Sequence, residues 1–178
     1  MSNFITTYSN IKFNPIDPEI KDISIEDIAH SLSLMTRANG HFKEFYSVAQ
    51  HSIYCAREAI SRGYSNRVVL ACLIHDASEA YLADITRPVK KNLFKYLEIE
   101  ENLQTLIYDK FIDEQLTEDE LELVHSIDNS MLYYEFIHYK DLELDIVTQK
   151  LKSNPEFKFI DFKIIENEFI NMFNELNS

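Results

Sequence analysis

The segment Leu73-Ile74-His75-Asp76-Ala77-Ser78-Glu79 sets an imidazole and a carboxylate side by side in a stretch that favours a helix. Adjacent positions of a helix point about 100° apart, so one helix can offer a nitrogen and an oxygen ligand to a single ion. A second imidazole, His51, lies 24 residues before His75, and a second carboxylate, Asp128, lies 52 residues after Asp76. Two His and two Asp ligands from three predicted helices leave room for a bound water, which is typical of a catalytic metal.

The composition predicts an all-α fold. The chain has 178 residues, of which 46% are hydrophobic, enough for one domain (residues 1–178) with a full core. It has 2 Gly and 4 Pro, whereas average usage would give about 12 Gly, so little turn chemistry is left for a multi-stranded sheet. Residues 1–23, with the turn signals Asn14-Pro15 and Asp17-Pro18, are expected to form an irregular N-terminal leader.

Capping signals and apolar periodicity place the helices. Ser24 followed by Asp27, and Thr117 followed by Glu120, have the spacing of capping boxes. The predicted helices span about residues 25–37, 45–61, 67–82, 88–111 (with a kink allowed before Phe111) and 117–139, followed by one or two amphipathic helices that end near residue 176.

The charge distribution argues against a nucleic-acid polymer as partner. The net charge is −13 and the pI is near 4.8, the opposite of a surface that follows a phosphate backbone. Residues 1–95 carry net +1 and residues 96–178 carry net −14. The candidate ligands lie mostly in the near-neutral half, where a small anionic substrate can still bind, and a solvated acidic face explains the rest.

Two further features indicate a cytoplasmic protein without a membrane segment. Cys55 and Cys72 lie on apolar helix faces without CxxC spacing, as expected of buried free thiols in a reducing compartment. The N-terminus lacks a basic region followed by an apolar core, and no run of about 18 apolar residues occurs.

The sequence around the four candidate ligands is rich in further motifs: Asp27-Ile28-Ala29-His30, Arg37, Gly40-His41, Phe45-Tyr46-Ser47-Val48-Ala49-Gln50-His51-Ser52, His75-Asp76-Ala77-Ser78-Glu79-Ala80-Tyr81 and Asp84-Ile85-Thr86-Arg87-Pro88-Val89-Lys90. Over residues 11–135 this pattern resembles the HD-domain metal-dependent phosphohydrolases. The likeness is to their compact nucleotide-cleaving branch, which includes bacterial 5′-deoxynucleotidases and phage dATP triphosphohydrolases. The resemblance implies a compact HD-domain helical bundle.

The resemblance also implies one divalent ion held by His51, His75, Asp76 and Asp128. Mixed nitrogen and oxygen donors suit Zn, Co, Mn, Ni or Fe, and an additional Mg²⁺ on the substrate phosphates is a further expectation. Dinuclear members of the superfamily need more His ligands between the His-Asp pair and the last Asp. Only His125 lies between Asp76 and Asp128, so a mononuclear site is favoured.

Two more carboxylates are expected to act in catalysis. Glu79 lies three residues after Asp76 and four after His75, on the same face of a helix. The resemblance gives Glu79 the role of handling the proton of the attacking water, and Asp84 that of orienting the water or moving a proton. The alternative for Glu79 is a structural pair with a nearby arginine.

The expected substrate contacts surround these carboxylates. Arg37 matches a phosphate-binding arginine whose planar fork can hold two oxygens, and Lys90 resembles a lysine on the triphosphate tail, unless it is simply a solvated cation. Related enzymes often carry an aromatic residue where this chain has Ala38, which leaves base selectivity open. The full predicted set is Arg37, Ala38, Gly40, Pro88, Lys90 and His125.

The favoured function is hydrolysis of dATP, or another dNTP, to a deoxynucleoside and triphosphate by a metal-activated water. A 5′-nucleotidase acting on deoxynucleoside monophosphates is the alternative within the class, and a non-catalytic, metal-stabilised regulatory module is the alternative outside it. Self-association is expected because the C-terminal segment has more apolar residues than one helix needs: Phe159, Ile160, Phe162, Ile164 and Ile165. The resemblance implies that such a homo-oligomer is a dimer or a hexamer.

Overall fold

The computed structural model describes residues 3–177, and helices dominate it. The helices are α1 (Ile25–Leu34), α2 (Val48–Arg62), α3 (Asn66–Ile74), α4 (Glu79–Leu82), α5 (Arg87–Lys90), α6 (Phe94–Phe111), α7 (Glu118–Lys140) and α8 (Phe162–Leu176). Within residues 3–177 the only sheet is a hairpin of β1 (Ile5–Thr6) and β2 (Lys12–Phe13), inside the segment expected to be irregular. The predicted all-α class is confirmed.

Helix α2 is the centre of the structure and packs against α1, α3, α7 and α8. Ser47 caps its first turn by accepting a hydrogen bond from the Gln50 backbone N–H, and Gly63 ends it in a left-handed conformation with φ 77°. Ile53, Ala56 and Ala59 are completely buried. The small alanines let neighbouring helices approach α2 closely, so side chains from several helices can meet around it.

The first two predicted helices are each shorter than expected. Helix α1 ends at Leu34 because Thr36 pairs with Ser47 in an isolated antiparallel bridge, which requires an extended chain. The next residues form a 3₁₀ turn, Arg37–Gly40, in which Ala38, Asn39 and Gly40 all have positive φ. The same bridge delays the start of α2 to Val48, and it fixes Arg37 against the body of the protein.

The prediction of one helix over residues 67–82 is wrong, because a turn at residues 75–78 separates α3 from α4. Side chains satisfy the backbone groups at this break: the Gln104 amide donates to the Ile74 carbonyl at 2.9 Å and accepts from the Ser78 N–H at 3.0 Å. The His75 ring also bonds the Cys72 carbonyl at 2.8 Å. The quoted His-Asp pair therefore lies on a tight turn held by α6.

The second half of the chain follows the predicted order. The segment expected to kink breaks between α5 and α6, at residues 91–93. The Thr117–Glu120 capping box is present with both reciprocal bonds. One C-terminal helix, α8, follows α7 after an irregular connection over residues 141–161.

Side chains of α2 hold this long connection. Gln50 donates to the Lys158 carbonyl at 3.1 Å, and the Tyr54 hydroxyl donates to the Glu156 carbonyl at 2.8 Å. The buried Glu58 carboxylate accepts from the backbone N–H groups of Lys152 and Ser153 and from Arg62. These bonds replace the ladder that a regular element would provide.

Replacing Glu58 with glutamine is expected to lower the free energy of unfolding by about 2 kcal/mol at pH 7, since bonds to a charged group contribute roughly 1.5–3 kcal/mol. Burial acts to raise the pKa of Glu58, but bonds from Ser153, Lys152 and Arg62 outweigh it and lower the pKa below 4.5. The carboxylate therefore stabilises the fold above pH 4.5 and loses this effect as the pH falls through the lowered pKa.

Urea unfolding of both proteins at a series of pH values checks this expectation. The difference between wild type and Glu58→Gln should shrink as the pH drops below 4.5. A difference that stays constant with pH, or none at pH 7, would contradict the role given to the carboxylate.

None of the helices formed by residues 3–177 combines the length and the apolar character that crossing a membrane requires.

Candidate metal centre

Four predicted ligands meet at one point between α2, the α3–α4 turn and α7. His51 Nε2 lies 3.3 Å from His75 Nε2 and 3.2 Å from Asp128 Oδ1. Asp76 Oδ2 lies 3.3 Å from His75 Nε2 and 3.9 Å from His51 Nε2, and His75 Nε2 lies 3.9 Å from Asp128 Oδ1. Residues separated by up to 77 positions in the sequence thus present two nitrogens and two oxygens to a common space.

The other nitrogen of each imidazole has a fixed partner. His75 Nδ1 lies 2.8 Å from the Cys72 carbonyl, which can only accept, so Nδ1 carries the hydrogen and Nε2 keeps its lone pair. His51 Nδ1 lies 2.5 Å from Glu135, whose pKa is lowered to about 2: burial opposes ionisation, but His51 and Arg37 favour it. The Glu135 carboxylate therefore accepts from His51 Nδ1, and both Nε2 atoms face the shared space.

The spacing of these four atoms fits a coordinated cation. Ligands held at about 2.0–2.2 Å from a metal stand roughly 3–3.6 Å apart at neighbouring positions. Of the five distances given above, three, at 3.2, 3.3 and 3.3 Å, match that spacing. Without positive charge, lone pairs and carboxylate oxygens at such distances repel one another.

Electrostatics at His51 lead to the same conclusion. Burial and Arg37 act to lower the pKa of His51, but the carboxylates of Glu135 and Asp128 raise it, and it lies well above its ordinary value. Burial also opposes ionisation of Asp128, yet the neighbouring imidazoles of His51 and His75 hold its pKa well below the usual range. The space beside His51 Nε2 therefore favours a positive charge, which a proton or a metal ion can supply.

Cys55 adds a sulfur to the same cluster. His51, Cys55 and His75 offer ligand atoms that all lie within 4.8 Å of one another and could hold a metal ion. Cys55 Sγ lies 3.5 Å from His51 Nε2, one helical turn along α2. From the sequence, Cys55 was predicted only as a buried core residue. Its spacing of four residues after His51 is nevertheless the signal for a shared helix face.

Glu135 is a second residue that the sequence analysis missed. It lies on α7 seven residues after Asp128, which is two helical turns along the same face. Its Oε2 lies 3.4 Å from Arg37, and Arg37 lies 3.4 Å from Asp76. Glu135 and Arg37 are both buried, and together they orient His51 and Asp76.

Replacing Glu135 with glutamine is expected to weaken metal binding by about 10- to 100-fold, the usual effect of losing the outer partner of a ligating imidazole. The amide cannot hold the Nδ1 hydrogen with a full negative charge, and it leaves the Arg37 charge less compensated. Isothermal titration with Zn²⁺ measures the change. Glu156→Gln, which replaces an exposed glutamate, serves as control, and equal affinities for all three proteins would contradict the role of Glu135.

Glu79 borders a cavity next to this cluster. The cavity has a volume of about 420 Å³ and is lined by His75, Asp76, Ser78, Glu79, Lys90, Leu97, Glu100, Glu101 and Gln104. Glu79 is only 4% exposed, and among the described residues its Oε2 has no hydrogen-bond partner. Burial raises the pKa of Glu79 well above its ordinary value, helped by Asp76 and Asp84 and opposed by Lys90 and Arg37.

Two more predicted residues lie beside Glu79. Lys90 Nζ lies 3.4 Å from Glu79 Oε1 and 2.7 Å from Glu100 Oε1. Asp84 is partly buried, and burial raises its pKa while Arg37 opposes the shift. Lys90 and Glu79 thus line the cavity together. Lys90 contacts two carboxylates, so it is not simply a solvated cation.

The remaining residues predicted to contact the substrate are exposed or half-buried. Ala38 is half-buried and has φ 51°, while Gly40 is exposed and has φ 74°. Pro88 is exposed in the first turn of α5. His125 is exposed on α7, one turn before Asp128, and lies outside the residues that line the cavity. Their contacts with a substrate stay predictions.

Arg87 contacts the cluster directly. Its guanidinium lies 2.7 Å from Asp128 Oδ2 and 2.8 Å from Asn129 Oδ1. The Asp128 oxygen facing away from the imidazoles is therefore already neutralised, and this bond ties α5 to α7. The helical architecture with this cluster is compatible with an HD-like domain.

Comparison with known proteins finds two bacterial relatives. The uncharacterized protein YfdR of Escherichia coli (strain K12) is 39% identical over 109 residues, which cover 61% of this chain and 58% of YfdR. An uncharacterized protein of Rhodobacter capsulatus is 38% identical over 109 residues, 58% of this chain and 55% of that protein. The match thus spans less than two thirds of either relative. No protein-family profile matches the chain.

Proposed function

We propose that this chain is an HD-type metal-dependent phosphohydrolase that cleaves a deoxynucleotide, dATP or another dNTP foremost, into a deoxynucleoside and triphosphate. One observation carries the proposal: two imidazoles and two carboxylates converge beside a cavity into which a buried glutamate faces. A structural metal site needs the converging imidazoles and carboxylates, but it has no use for a buried glutamate that faces a cavity.

The ligand set that we favour is His51, His75, Asp76 and Asp128, with Cys55 outside it. Burial raises the pKa of the Cys55 thiol to about 11, opposed by His51, so without a metal the sulfur keeps its proton at neutral pH, and an ion would have to displace that proton to bind it. Asp128 is held as a carboxylate beside both imidazoles. Two nitrogens and two carboxylate oxygens suit Zn, Co, Mn, Ni or Fe and leave positions for water.

A divalent ion bound there supplies a water acidified toward neutral pH and a charge that polarises a phosphoryl oxygen. Glu79 is suited to take up and return the proton, because burial raises its pKa well above the ordinary value and its Oε2 lacks a partner among the described residues. We assign the onward transfer of the proton to Asp84, whose pKa is also raised by burial.

The substrate phosphates are assigned to the end of the cavity near the ligands. The Lys90 ammonium contacts Glu79 and Glu100. When substrate binds, it can give up one of these carboxylates and contact a phosphate oxygen instead. Arg37 keeps its charge, since its pKa is raised well above normal: burial opposes this, but Glu135 and Asp76 outweigh it. Its contacts to these carboxylates are long, at 3.4 Å, which leaves donors for phosphate.

Two alternatives remain distinguishable from this proposal. A 5′-nucleotidase would use the same ligands and Glu79 but would act on a monophosphate, without need of Lys90. A non-catalytic regulatory module would bind metal yet leave every nucleotide intact. The cavity volume of about 420 Å³, within the usual range for ligand sites, and the unpartnered Glu79 oxygen favour an enzyme.

Product analysis by chromatography tests the proposal. Protein loaded in turn with Mn, Co, Zn and Mg is incubated with dATP, dGTP, dCTP, dTTP and dAMP. Deoxyadenosine with intact triphosphate from dATP is the expected result. Phosphate from dAMP alone would make the protein a 5′-nucleotidase, and silence on all five substrates would overturn the proposal.

A further inference from the structure

The cavity continues along one face of α6. Among its lining residues, Leu97, Glu101 and Gln104 are spaced by four and three positions, which places them on one side of this helix. Phe94 extends the same stripe by one turn toward the start of α6, three residues before Leu97. At about 100° per residue, the four positions fall within an arc of roughly 80°.

Phe94 is unusual for a phenylalanine, because 80% of its surface is exposed. Within residues 3–177 no aromatic ring stacks on it, although most rings of the core take part in such contacts. Leu93 and Val89 beside it are exposed too. Phe94 lies one turn beyond the residues that line the cavity, and an unpartnered ring in that position has the character of a binding platform at the cavity mouth.

The charges along the stripe determine which end of a bound ligand lies near the predicted metal ligands. Gln104 bonds the turn that carries His75 and Asp76, so this end lies beside the metal ligands. Ten residues of helix, about 15 Å, separate Gln104 from Phe94. Glu101 lies between them and repels phosphate, so the anionic part of a ligand belongs at the Gln104 end and a neutral ring at the Phe94 end.

We infer that Phe94, supported by Leu97, stacks on the heterocyclic base of the nucleotide and so supplies the aromatic contact that Ala38 does not. This inference rests on the proposed function, since it places the base just beyond the Leu97 end of the same cavity. The platform recognises a planar ring rather than a particular hydrogen-bond pattern, and it therefore predicts weak discrimination among the four bases.

Binding of dATP and of inorganic tripolyphosphate, compared by calorimetry, tests the inference. The titrations use metal-loaded Glu79→Gln protein, chosen to prevent turnover, with and without Phe94→Ala. Loss of the ring should weaken dATP binding by about 5- to 100-fold and leave tripolyphosphate binding unchanged. Phe94→Trp should retain the affinity for dATP, and Phe159→Ala, which removes another exposed ring, should change neither ligand.

Three results would overturn the inference: unchanged dATP affinity in Phe94→Ala, equal weakening of dATP and tripolyphosphate, or no binding of dATP by the parent protein. The proposed function fails on a different result, the absence of turnover by the wild-type protein. If dATP binding depends on the Phe94 ring but the wild-type protein shows no turnover, the stacking role of Phe94 stands and the proposed enzymatic function is wrong. Turnover by the wild-type protein with unchanged dATP affinity in Phe94→Ala would support the proposed enzyme and rule out the stacking role of Phe94.

Discussion

Replacing Asp128 with asparagine is expected to reduce metal affinity by more than about 100-fold, whereas replacing Cys55 with alanine leaves it within a few-fold of wild type. Loss of an outer partner already costs about 10- to 100-fold, and Asp128 is a carboxylate 3.2 Å from His51 Nε2. Cys55 is a neutral thiol because burial raises its pKa to about 11. Metal content after dialysis, measured by mass spectrometry, reads out both variants.

Asp119→Asn is the matched control, because Asp119 is an exposed aspartate on the same helix. Circular dichroism separates loss of metal from loss of fold. The opposite outcome, metal lost from Cys55→Ala and kept by Asp128→Asn, would assign the ion to His51, Cys55 and His75 instead.

Replacing Glu79 with glutamine is expected to lower kcat for nucleotide hydrolysis by about 10²- to 10⁴-fold, the usual contribution of a general acid–base group. The amide keeps the shape of the side chain but cannot take up a proton. Glu79 lies outside the four proposed metal ligands and contacts Lys90, so metal content and helicity should stay at wild-type levels. Stopped reactions at saturating substrate measure kcat.

Glu143→Gln provides the comparison, since it changes an exposed glutamate of the connection between α7 and α8, outside the residues that line the cavity, and should leave kcat unchanged. Full activity in Glu79→Gln would remove Glu79 from the chemistry. Loss of metal or of fold in this variant would show instead a structural role, such as holding Lys90 against α6.

The sequence was informative where residue spacing fixes geometry. The all-α class followed from the scarcity of glycine, and the Thr117–Glu120 capping box predicted the start of α7 to the residue. His51, His75, Asp76 and Asp128 were named from residue kind and order, and the structure brings their atoms within 3.2–3.9 Å. Their role in binding a metal stays a prediction.

Other features depend on contacts between distant parts of the chain. The turn that interrupts the predicted helix 67–82 is stabilised by Gln104 from α6, and periodicity alone gives no sign of it. The contact between Glu135 and His51 depends on the packing of α7 against α2, which the sequence pattern does not reveal. The exposure of Phe94 is likewise a tertiary property, because its neighbours on α6 give it an ordinary amphipathic pattern.

An X-ray anomalous difference map from crystals soaked in Zn²⁺ tests the central claim most directly. The account predicts one strong peak about 2.0–2.2 Å from His51 Nε2, His75 Nε2 and one oxygen each of Asp76 and Asp128. A peak about 2.3 Å from Cys55 Sγ, or no peak among these side chains at saturating Zn²⁺, would contradict it.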